Sequence, residues 1–200
     1  MAPPAKARRS YHHGNLQPAL LDAAAALVAE RGPEGFSMLD AARACGVSAS
    51  APYKHFADKA ALLEALAQRA LAMLNARLAA AWGDGRPEPG AAFLRVGQAY
   101  LAFAREAPGH YLALFRAGAA PAPPPLPDRR PDSPPLGEAL AALGIGPGAA
   151  TEIALQVWAI SHGLASLERA GQLALPAEQL LDRGVGRLLR GLAAEAPAEA

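Results

Sequence analysis

Along most of the chain, apolar residues recur every three to four positions, the spacing of one helical face. Asn15 can cap a first helix, with Pro18 tolerated in its first turn and Leu16, Ala19, Leu20, Ala23, Leu27 and Val28 as its stripe. Arg31-Gly32-Pro33 stops it. A short helix is predicted from Ser37, with Asp40 completing a capping box and Met38, Ala41, Ala42 and Cys45 on one face. Gly46 ends that helix, Val47 plugs the turn, and Ser48 caps a second short helix beginning at Ala49. Asp58 opens a long helix to about Trp82 with leucines on both sides, and Gly83 to Gly90 breaks it. Helices follow over 88–106 and from Pro108 to Gly118. Residues 119–135 are Pro-rich and predict a surface linker, before a short helix over 136–143. Two long helices, 149–170 and 176–194, flank Gly171. No strand pattern interrupts this series, so the predicted class is all-α.

Two short helices joined by a tight turn containing Gly form the helix-turn-helix pattern, whose second helix enters a DNA major groove. On that helix Ala49, Ser50, Tyr53, Lys54 and His55 are the candidates to face DNA. Ser37 and Ser48 at the helix starts join them, as does Lys59, at a helix N-terminus that favours phosphate. Phe56 reads as core; Tyr53 reads either as core or as a ring presenting its hydroxyl. Pro52 is awkward, because proline removes a backbone donor and crowds the carbonyl four residues back; with Ser48 as the cap, the helix is expected to be short and tight at its start.

The stretch GVSASAPYKHFADKAALLEAL resembles the signature of the TetR/AcrR family of bacterial transcriptional regulators, and the upstream YHHGNL fits as well. The match covers roughly residues 11–75. The family also uses Ala-Pro-Tyr at this place. Trp158, His162 and Gly163, with the earlier PGHYLALF, resemble a C-terminal regulatory domain of this family named for Trp, His and Gly. The resemblance implies an N-terminal three-helix DNA-binding head, 14–74 with its helix-turn-helix at 37–56. It also implies a C-terminal ligand-binding and dimerisation domain, 75–195. The expected protein is a ligand-responsive dimeric repressor on a palindromic operator. The Pro-rich insert departs from a compact version of that domain.

The chain is long enough to bury a core unaided, and 52% of its residues are apolar. A net charge of +1 gives no global basic field. Positive charge is local instead: Lys6, Arg8 and Arg9, with His12 and His13, make a flexible basic arm over residues 1–13. Such an arm reads as a solvated tail or, directly before a helix-turn-helix, as a binder of DNA backbone. The single cysteine, Cys45, allows no internal disulfide and reads as core. Neither a leader peptide nor an apolar run of membrane-spanning length is apparent, so a cytoplasmic protein without a membrane partner is expected.

Trp158 and His162 lie four apart and share a helical face. The histidine reads as a bonded core residue or as a polar group in a ligand pocket. Metal binding lacks the paired ligands it needs. Phe93, Tyr100, Phe103, Tyr111 and Phe115 likewise read as core, or as the wall of a pocket for a small apolar or aromatic effector. Leu155, Leu164, Leu167, Leu180, Leu188 and Leu189 are the candidates for a homodimer interface between the last two helices. No nucleophile constellation, phosphate loop or dinucleotide fingerprint is present, so neither catalysis nor a cofactor is expected. The competing reading is an all-helical small-molecule-binding protein or enzyme without DNA binding. A helical adaptor would rest only on the Pro-rich linker.

Overall fold

The computed structural model describes residues 16–83, 89–116 and 150–195. The arm with Arg8 and Arg9, the Pro-rich stretch 119–135 and the short helix expected at 136–143 lie outside the described residues. Among these there are seven α-helices: α1 (Leu16–Arg31), α2 (Met38–Ala44), α3 (Lys59–Trp82), α4 (Pro89–Glu106), α5 (Pro108–Leu114), α6 (Ala150–Arg169) and α7 (Ala177–Glu195). The all-α expectation holds.

Local signals set most helix ends. Ser37 and Asp40 cap α2 reciprocally: the Asp40 N–H donates to Ser37 Oγ at 3.2 Å, and the Ser37 N–H donates to Asp40 Oδ2 at 2.9 Å. Asp58 caps α3, accepting the Ala61 N–H at 2.8 Å. At the far end of α3, Gly83 turns with φ 55, and Arg95 donates to the carbonyls of Ala81 and Trp82 at 3.0 and 3.2 Å. Those carbonyls have no partner within the helix, so the guanidinium completes its end.

One expectation fails locally. The second element of the helix-turn-helix is a single 3-10 turn, Pro52–Lys54, not a helix from Ala49. Proline has no N–H to give the Ser48 carbonyl, which takes the Ala51 N–H at 3.0 Å instead. The N–H groups of His55 and Phe56 then both donate to the Pro52 carbonyl at 3.0 Å. The chain is thus wound tightly, with three-residue bonds from Ala51, Lys54 and His55 and one four-residue bond from Phe56.

Two apolar cores share α3. Leu62, Leu63 and Leu66 close the head core with Leu20, Val28, Phe36, Met38, Cys45 and Phe56. From Ala70 onward, Leu74, Leu78 and Trp82 belong to the body core with Phe93, Tyr100, Phe103, Ile153, Leu181 and Val185. The short α5 also serves both: Ala113 is buried in the head core, Tyr111 and Leu114 in the body core. Ion pairs lie along the same joint. Arg69 of α3 meets Asp22 of α1 at 2.6 Å, and Arg116 meets Glu64 at 3.4 Å.

Candidate nucleic-acid interface and regulatory cluster

In the 3-10 turn, Pro52 and Phe56 point inward and are buried, while Tyr53, Lys54 and His55 are exposed. Two inward anchors four residues apart therefore hold the outward residues in a fixed presentation. Tyr53 keeps 55% of its surface in solvent, large for an aromatic side chain, so its ring is not core. Ser48, Ala49 and Ser50 are exposed beside it, and the two serine hydroxyls lie 3.3 Å apart.

The structure assigns other duties to two predicted members. Ser37 is exposed, but its hydroxyl donates to Asp40 Oδ2 at 2.6 Å while it accepts the Asp40 N–H. These bonds to Ser37 hold the Asp40 carboxyl below its ordinary pKa. Lys59 turns back onto the head: its Nζ donates to the Glu34 carbonyl at 3.2 Å, lies 3.4 Å from Glu34 Oε2 and stands 5.0 Å above the Phe36 ring. It fastens the loop between α1 and α2 to α3. Arg43, in the last turn of α2, was not singled out from the sequence; its side chain is 70% exposed and lies 3.9 Å from Asp40. The signal available was a cation one turn before the Gly46 break.

Behind the head, five of the seven predicted pocket residues come together. Tyr100 of α4, Tyr111 of α5, the following Phe115, and Trp158 and His162 of α6 form a continuous set of ring contacts. Trp158 and His162 are stacked, 5.5 Å apart with 19° between planes, as their four-residue spacing predicts. The hydroxyls of Tyr100 and Tyr111 both approach His162 Nδ1, at 2.9 and 3.2 Å. One ring nitrogen lone pair cannot serve both well, and the Tyr111 hydroxyl has a second partner in Ser166 Oγ at 3.2 Å. Ser166, like Arg43, is not among the sequence candidates; it continues the 158–162 spacing by four more. Phe93 and Phe103 stand apart from this set. Phe93 packs edge-on to Trp82 at 5.3 Å, and Phe103 lies fully buried under Arg77. They are core.

Burial decides the charge state of the cluster. It lowers the pKa of His162 and raises those of Tyr100 and Tyr111, so all three favour their neutral forms. The Trp158 N–H is buried without an acceptor at hydrogen-bonding geometry, although it lies near enough to the Tyr100 hydroxyl to favour its ionised form slightly. The network therefore has an unused donor. Among the described residues no group of histidine, cysteine and acidic side chains could hold a metal ion.

On α6, Leu155 and Leu167 are 49% and 42% exposed. Leu164, Leu188 and Leu189 are partly buried against the body core, and Leu180 is partly buried. The last two helices are fixed to α4. Arg105 makes two parallel bonds to Glu168, at 2.6 and 2.7 Å, and a third to Glu178 of α7.

A capped helix, a tight turn and an outward-facing second element, set on a larger helical body, define a helix-turn-helix DNA-binding protein. Comparison with known proteins makes this specific. Residues 20–66 match the family model described as "Bacterial regulatory proteins, tetR family", and residues 93–188 match "Tetracyclin repressor-like, C-terminal domain". The chain belongs to the TetR family and is a DNA-binding transcriptional regulator. At the level of the family this is a regulator, not an enzyme.

Solved structures agree. A protein of unknown function from Rhodococcus sp. RHA1 is 31% identical, with a TM-score of 0.73 over 93% of this chain and 100% of its own. A TetR-like transcriptional regulator from the same source is 22% identical, with a TM-score of 0.65 over 88% of this chain and 96% of its own. A TetR-family transcriptional regulator from Streptomyces coelicolor is 24% identical, with a TM-score of 0.61 over 91% and 99%. The last two likenesses bear on fold alone. No curated protein matches the chain. Among the described residues no helix is long and apolar enough to cross a membrane.

Proposed function

We propose that the protein is a homodimeric repressor that holds a palindromic operator through two copies of the 48–55 turn and releases it when a small molecule occupies the body. The observation that carries this reading is the turn itself: Tyr53, Lys54 and His55 project outward from a backbone pinned by buried Pro52 and Phe56. Ser48, Ala49 and Ser50 are small enough for close approach to a groove, and Lys54, Arg43 and the Tyr53 hydroxyl suit phosphate. Arg8 and Arg9 of the N-terminal arm reach adjacent backbone or minor groove. Ser37 and Lys59 act indirectly, by holding α2 and the α1–α2 loop in place. As a regulator of DNA the protein works in the cytoplasm.

Dimerisation falls to α6 and α7. The exposed Leu155 and Leu167, with Leu164, Leu180, Leu188 and Leu189 beside them, provide an apolar face for a four-helix contact between two copies. Two heads about 34–36 Å apart would then meet successive major grooves. The effector site is the Tyr100–Tyr111–Phe115–Trp158–His162 cluster. Its neutral groups and unused Trp158 donor suit a flat, largely apolar molecule carrying an acceptor oxygen. Such a molecule releases DNA only by binding one head spacing better than the other.

The test is retardation of duplexes from the protein's own promoter region. The expected result is a dimer-sized complex whose affinity falls steeply with salt. Absence of any retained duplex at low salt would overturn the reading.

A further inference from the structure

The exposed inventory of the turn constrains how an operator can be read. Between Ser48 and Phe56 there is no Asn, Gln, Asp, Glu or Arg. The side chains that pair bidentately with adenine, and those that accept from cytosine, are therefore missing, and Lys54 is the one cation left that could reach guanine. Ser48 and Ser50 carry hydroxyls, which bond to donors and acceptors alike and discriminate little. What the turn does expose is apolar surface: the Ala49 methyl and the ring of Tyr53, 55% open to solvent. In the major groove only thymine offers an apolar group at its edge, the C5-methyl.

We infer that the turn distinguishes operators chiefly by packing thymine C5-methyl groups against Ala49 and the Tyr53 ring. This rests on the reading of residues 48–55 as the DNA-facing element. Lys54 and His55, at the end of the turn, then supply backbone attraction rather than base choice. The 3-10 winding supports the assignment. The 3-10 element holds only Pro52, Tyr53 and Lys54, so Tyr53 is its one exposed apolar ring, and the exposed Ala49 methyl lies in the turn just before it.

The experiment begins with duplexes selected from a random pool by the full-length protein. Each thymine of the selected half-site is then replaced by uracil, which removes the methyl and leaves pairing and phosphates intact. Affinity is read by fluorescence anisotropy. One or two thymines per half-site should lose about fourfold on removal of the methyl, the equivalent of one buried carbon. The salt slope should not change, because no phosphate contact is lost. Ala49→Gly and Tyr53→Ser should abolish the preference for thymine over uracil at those positions, while Tyr53→Phe, which keeps the ring, should retain it. Replacing guanine by 7-deazaguanine should leave affinity unchanged.

Half-sites without a shared thymine, or uracil duplexes bound as tightly as thymine ones, would overturn the inference. So would a roughly tenfold loss with 7-deazaguanine, since Lys54 or His55 would then be reading guanine N7. Failure to enrich any duplex is a different outcome: it would overturn the DNA-facing assignment of the turn itself.

Discussion

Gly109 of α5 meets Ala25 of α1 with no room for a side chain between them. A Cβ on Gly109 would stand 1.9 Å from the Ala25 carbonyl oxygen, so the two helices touch backbone to backbone. This contact joins the head to the body, beside the Asp22–Arg69 ion pair. Gly109→Ala should therefore force α5 away from α1 and cost about 1–3 kcal/mol, the usual range for overpacking. Thermal unfolding measures the loss. DNA affinity of the folded variant should change too, because α5 bears on the same α1 that supports the head core. A variant with unchanged melting temperature would show that this joint yields freely.

Acidification should weaken the fold before the carboxylates titrate. Burial holds His110 and His162 below the ordinary histidine value of 6.5, and Arg69 adds to the effect at His110. The unfolded chain then takes up protons near pH 6.5 that the folded chain refuses. By linkage, stability declines as pH falls through 6.5 toward the lowered folded values, and these two groups contribute no slope well above it. Asp40 and Glu178, whose pKa values are lowered by bonds to Ser37 and Arg105, lose their contribution only at more acid pH. The melting temperature should be flat from pH 8 to 7 and fall by a few degrees toward pH 5.5. In a His110→Gln, His162→Gln variant that fall should flatten, and an unaltered profile would contradict the assignment.

The Arg105–Glu168 pair has bidentate geometry yet lies partly in solvent, with side chains 40% and 29% exposed. Screening should hold its coupling energy to about 0.5–1 kcal/mol. A double-mutant cycle with Arg105→Gln and Glu168→Gln, at low and high salt, tests this. The coupling should shrink with salt; a salt-independent value of several kcal/mol would mark the pair as effectively buried.

Much of this was legible because the signals are local. Ser37–Asp40, Gly46, Asp58 and Gly83 set helix ends through bonds to neighbouring residues, and each acts as its sequence position implies. What a sequence hides is tertiary or steric. Pro52 marks the second element as short and tight at its start; that the tightness runs through the whole element shows only in its bonds. The place of Lys59 at a helix N-terminus suits phosphate, and nothing local reveals its contact with Glu34, 25 residues away. The Trp158–His162 stack follows from helical spacing, whereas the Tyr100–His162 bond joins residues 62 positions apart. Periodicity marks Phe93 and Phe103 as apolar but cannot separate core from cluster. Only the packing places them under Trp82 and Arg77.

Whether the outward tips of the 48–55 turn hold DNA is read from the affinity of the Tyr53→Ala, Lys54→Ala protein for a selected palindrome, beside the unaltered protein and across a salt series. Both side chains are exposed and contribute no core packing, so the variant should keep its melting temperature. Most of the specific binding should be lost and the salt slope should become shallower, as a phosphate contact disappears from each half-site. Unchanged affinity and slope in a fully folded variant would contradict it.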